Sequence, residues 1–81
     1  MKIYRPDGRC NISGRRVREA REEACISQEQ PAGRIQLAGL SITHKAISRI
    51  EIEDRVVADY ELNYLSEALG ITNEYLLLEK D

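Results

Sequence analysis

Eighty-one residues suffice for one domain, in which roughly 60% of the unfolded surface can be buried, so a large enclosed active site is excluded. The composition, 42% hydrophobic and 32% charged with four tyrosines as the only aromatics, is that of a soluble globular chain. A net charge of −2 conceals a dipole: residues 1–50 hold ten Lys/Arg against five Asp/Glu, and residues 51–81 hold two against nine. One half can therefore meet a polyanion while the other faces solvent or a protein.

The start, MKIYRPDGR, carries a Pro-Asp-Gly turn signal and no apolar signal core, which marks residues 1–11 as a non-helical arm. The strongest apolar run, YLLL at 75–78, is far short of the roughly 20 residues that cross a bilayer, so the expected location is the cytoplasm. Cys10 and Cys25 have no CxxC spacing and no partner histidines, and are read as free thiols rather than metal ligands.

A first helix is expected from about Ser13 to Ala24, capped by Ser13 or Asn11, with Val17, Ala20 and Ala24 inward. Ser27-Gln28-Glu29-Gln30 has the form of a capping box and opens a second helix that stops at Gly39, where Leu40 can close over Ile35. Thr43 caps a third helix to about Glu51. Its apolar residues Ile42, Ala46, Ile47 and Ile50 share one side, while His44, Lys45, Ser48 and Arg49 lie on the other. Asp59 starts a fourth helix with Leu62, Leu65 and Leu69 on one face and Gly70 as its stop, and Thr72 caps a short fifth helix to Leu78. No segment combines strand alternation with a returning partner. The expected fold is all-α, five helices over residues 12–78, with 79–81 as a tail.

The stretches REAREEACISQEQPA at 18–32, ITHKAISRIE at 42–51 and DYELNYLSEALGIT at 59–72 resemble the Cro/repressor-type helix-turn-helix regulators, often called the XRE family. That resemblance implies a lambda-repressor-like domain whose third helix enters the major groove, where each base pair presents a distinct donor and acceptor pattern. By resemblance, Thr43, His44, Lys45, Ser48 and Arg49 are the candidate base-facing residues, with Arg49 and Lys45 suited to guanine. Gln28 falls at the phosphate-facing start of the second helix. Arg15, Arg16, Arg34, Lys2, Arg5 and Arg9 are candidates for neutralising the DNA backbone. Arg21 and Glu51 match a structural ion pair between the first and third helices.

The implied partner is double-stranded DNA bound by a two-fold homodimer, with contact through the fourth and fifth helices around Tyr64, Tyr75 and the last leucines. No cofactor, metal, small-molecule ligand or membrane is implied, and one histidine without a nucleophile motif argues against an enzyme. A protein-interaction module of the same fold, such as an antitoxin or anti-regulator subunit, is the alternative.

Two features depart from the family pattern. Pro31 stands at a usual core leucine and, in a helix capped at Ser27, could not donate to the Ser27 carbonyl, so the first turn is distorted or the helix starts later. The segment from Ser27 to Glu51 is about five residues longer than the common spacing, which lengthens the second helix and loosens the turn.

Overall fold

The computed structural model describes residues 8–78, and Lys2, Arg5 and the expected 79–81 tail lie outside them. Five helices follow one another without a strand among the described residues: α1 Gly14–Glu23, α2 Glu29–Leu37, α3 His44–Glu51, α4 Asp59–Leu69 and α5 Asn73–Leu77. Val17, Ala32, Ile35, Ile42, Ile47, Ile50, Leu65, Ala68 and Leu76 form one buried cluster, to which every helix contributes. None of these helices is long and apolar enough to cross a membrane.

The helix starts follow local chemistry, with one correction at α2. Thr43 and Thr72 cap α3 and α5 as expected, their hydroxyls accepting from Ala46 N at 3.2 Å and Tyr75 N at 3.0 Å. At α1 the capping oxygen is that of Asn11, whose Oδ1 accepts from Gly14 N at 2.8 Å, while Ser13 is buried and makes no side-chain cap. The Ser27 capping box does not form, because α2 begins one residue later with Gln28 as its N-cap. That shift accommodates Pro31: at the third helical position its missing N–H is one of the donors that have no intrahelical partner anyway. The ring is then fully buried in the place of a core side chain.

Four helices end in the same way. The residue after the final turn adopts a left-handed backbone, at Cys25 (φ 58°), Gly39 (φ 107°), Glu53 (φ 64°) and Gly70 (φ 69°). The next N–H then bonds back five residues: Ile26 to Arg21, Leu40 to Ile35, Asp54 to Arg49 and Ile71 to Ser66. This Schellman arrangement satisfies the last carbonyls, and it places Ala24 at an exposed helix end rather than on the inner face.

Between α3 and α4, Arg55 grips Glu61 with two hydrogen bonds of 2.8 and 3.0 Å, and Glu61 also accepts from Ala58 N at 3.0 Å. The hydrogen bond from Arg55, and then the one from Ala58, hold the Glu61 carboxyl below the usual carboxylate range. A folded-state pKa below the unfolded value of about 4.3 contributes stability that is present above that value and lost as pH falls through the folded pKa. Thermal midpoints of wild type and Glu61→Gln should therefore differ at pH 7 and converge as the pH falls through the folded-state pKa of Glu61. A gap that persists at acid pH would assign the effect to packing.

Candidate nucleic-acid interface

The amphipathic pattern of α3 sets its orientation. Ile47 and Ile50 have no exposed surface and Glu51 is 7% exposed, so the helix is seated by this side. Thr43, His44, Lys45 and Arg49 are exposed and Ser48 is half-buried, so the structure brings all five base-facing candidates to the outward side of one helix and its cap. This face carries two cations, one imidazole and two hydroxyls, which are mostly donors for base acceptors and phosphate oxygens.

α3 is held firmly at its C-terminal end. Glu51 receives two hydrogen bonds from Arg21 of α1, at 2.7 and 3.0 Å, and a third from the Gln28 amide at 3.1 Å. Arg21 also donates to the Ile26 carbonyl at 3.0 Å, and its guanidinium pKa is raised chiefly by the Glu51 hydrogen bond. The expected Arg21–Glu51 pair is therefore present. Gln28, expected at a phosphate, has its side chain turned to Glu51, leaving the backbone at the α2 start as the part free for an anion. Asn11 adds a further clamp, its amide donating to the carbonyls of Ile50 at 3.2 Å and Arg55 at 2.7 Å.

Toward their N-terminal ends α2 and α3 enclose an open groove of about 470 Å³, lined by Glu29, Ala32, Gly33 and Gln36 with Thr43, His44 and Lys45. The connection between the two helices runs over residues 38–43, and is anchored by the buried Ile42 and by the Gln36 amide on the Ile42 carbonyl.

Several arginines of the basic half are engaged elsewhere. Arg34 donates to the Ala68 carbonyl near the end of α4, at 2.6 Å, which suits a cation at a helix C-terminus and turns it toward α4. Arg16 pairs with Glu19 and lies over the Tyr75 ring at 5.2 Å, and Arg9 pairs with Glu53 at 3.4 Å. Among the described residues, exposed Arg15 and Lys45 make no ion pair. The ion pair between Arg49 and Asp54, at 3.7 Å, leaves no mark in the local residue pattern, because it depends on how the chain turns after α3.

This arrangement defines the Cro/repressor-type helix-turn-helix fold: an outward polar helix seated on a preceding partner helix within a five-helix unit. Among solved structures, the chain is similar to the restriction-modification controller protein C.AhdI from Aeromonas hydrophila. The TM-score is 0.71 and the identity 26%, over 80% of this chain and 91% of that one. It is also similar to the P22 c2 repressor protein, solved in complex with synthetic operator 9T, with a TM-score of 0.69 and 27% identity over 83% of this chain and 94% of that one. No protein-family model and no curated protein matches the sequence.

Proposed function

We propose that this protein is a sequence-specific double-stranded DNA-binding regulator of transcription, acting in the cytoplasm, that inserts α3 in the major groove. The observation that carries this reading is the division of α3 into a buried Ile47/Ile50/Glu51 side and an outward His44/Lys45/Ser48/Arg49 side, with Thr43 at its start. The likeness to a repressor solved on its operator supports it. Arg49 and Lys45 donate to guanine O6 and N7, and His44, Ser48 and Thr43 read or position from the same face. The α2 N-terminus meets a phosphate through its backbone N–H groups. Selection of bound sequences from random duplexes should enrich one palindrome, and Arg49→Ala should then cost about 1–3 kcal/mol on it while relaxing one base position. Equal losses on specific and scrambled duplexes would show that Arg49 reads no base.

A single α3 covers few base pairs, so the active unit is a two-fold dimer whose half-sites lie about one turn, ~34 Å, apart. Leu77 and Leu78, 47% and 55% exposed beside buried Leu76, supply the apolar part of the contact, with half-buried Tyr64 at its side. Tyr75 is occupied by Arg16. Native mass spectrometry of the complex should give two chains per duplex, and one chain on a non-palindromic site would rule the arrangement out. The second reading, a protein-interaction module, is favoured by exposed Tyr60 and these leucines. It predicts binding that is insensitive to salt, whereas DNA affinity falls steeply as counterions are released.

A further inference from the structure

The four Schellman ends differ at one position. In this motif the residue that donates back five positions commonly closes an apolar contact over the last turn. Ile26, Leu40 and Ile71 occupy that place after α1, α2 and α4, and Asp54 occupies it after α3. Its N–H bonds to the Arg49 carbonyl at 2.9 Å, and its Oδ2 lies 3.7 Å from Arg49 Nε. The same two residues are thus joined through backbone and side chain. The bend carrying Asp54 is fixed from outside as well, since Cys10 N donates to the Glu53 carbonyl at 3.0 Å and Arg9 pairs with the Glu53 carboxylate.

A carboxylate at this place has an electrostatic cost for a protein that approaches phosphates. It also sits on the Nε edge of the one arginine on the outward face of α3, and leaves both terminal nitrogens of the guanidinium without a partner among the described residues. Two parallel terminal N–H groups match guanine O6 and N7. An unrestrained arginine must give up rotamer freedom to make that contact, whereas one already paired with a carboxylate on an anchored bend gives up less.

We propose that Asp54 is a positioning residue that orients Arg49 for base recognition, exchanging general affinity for DNA against preference at one base pair. This rests on the reading of α3 as the base-reading helix. Because both side chains are more than 60% exposed, the effect is modest.

The test is selection from a random duplex library with wild type, Arg49→Ala, Asp54→Asn, Asp54→Glu and the Arg49→Ala/Asp54→Asn double variant, each first checked for an unchanged thermal transition. Asp54→Asn should reduce preference about two- to fivefold at the position that Arg49→Ala flattens, and at no other. Binding to the unselected library should be equal or tighter, Asp54→Glu should retain most of the preference, and Asp54→Asn should add nothing once Arg49 is gone. Three outcomes overturn the proposal alone: Asp54→Asn leaving preference intact while Arg49→Ala removes it, Asp54→Asn acting equally in both backgrounds, or a uniform gain in affinity with preference unchanged. If Arg49→Ala itself leaves every position unchanged, base reading by Arg49 fails first, and the proposal fails with it by a distinguishable pattern.

Discussion

Replacing Glu51 by Ala is expected to cost about 3–5 kcal/mol, the usual penalty for removing one partner of a buried ion pair. The Glu51 side chain is 3% exposed and its Arg21 partner 15%, so removing the carboxylate leaves a largely buried guanidinium with the Ile26 carbonyl as its remaining acceptor among the described residues and the Gln28 amide beside it. Replacing Arg21 by Met should cost a similar amount for the converse reason. The double variant should recover much of the loss, because the penalty lies in the unpaired charge rather than in the absence of the pair. Denaturant unfolding of all four proteins measures this as a coupling energy. Additive losses would mean that the two side chains act independently. Because Glu51 closes α3, the same variants should weaken DNA binding more than their stability alone explains, and a binding assay at a temperature where each variant is folded separates the two effects.

What could be read before the structure was largely what a side chain does within its own turn of helix. Thr43 and Thr72 are marked by type and position, Gly39 and Gly70 by their freedom at positive φ, and the outward side of α3 by the 3.6-residue spacing of Ile47 and Ile50. The same local rules do not mark Cys25 and Glu53, which take the left-handed conformation although a side chain there is strained by roughly 1–2 kcal/mol. At both places the bond from the following N–H and the packing beyond it decide the backbone. Pro31 shows the reverse: its chemistry was legible, and it moved the helix start by one residue against the capping signal of Ser27.

The candidate site divides along the same line. Which α3 residues face outward follows from periodicity, so Thr43, His44, Lys45, Ser48 and Arg49 could be named from sequence. What else each side chain touches depends on distant segments. Gln28 turns to Glu51, 23 residues away, and Arg34 to the Ala68 carbonyl, 34 residues away. Neither partner leaves a trace in the local pattern. Asn11 is a further case: a polar residue at the edge of the arm bridges Gly14, Ile50 and Arg55, and so ties the start of α1 to the end of α3.

That junction gives a paired prediction in which one substitution has opposite signs at two places. Gly14 opens α1, and a Cβ built there would collide with the Ile50 carbonyl oxygen near the end of α3 and meet the Glu53 side chain at 3.0 Å. The carbonyl is backbone and is already bound to the Asn11 amide, so it cannot move aside without shifting α1 from α3. Gly14→Ala should therefore destabilise the protein by about 3 kcal/mol, at the upper end of the usual cost of overpacking. Gly33 lies inside α2 with nothing within 4 Å of the place its Cβ would take. Gly33→Ala there removes backbone freedom from the unfolded chain without a clash, and should stabilise by about 0.5–1 kcal/mol. Urea unfolding of the two variants beside wild type tests both signs at once. A Gly14→Ala loss below about 0.5 kcal/mol, the range of an ordinary surface change, would show that α1 and α3 can separate at this point at little cost.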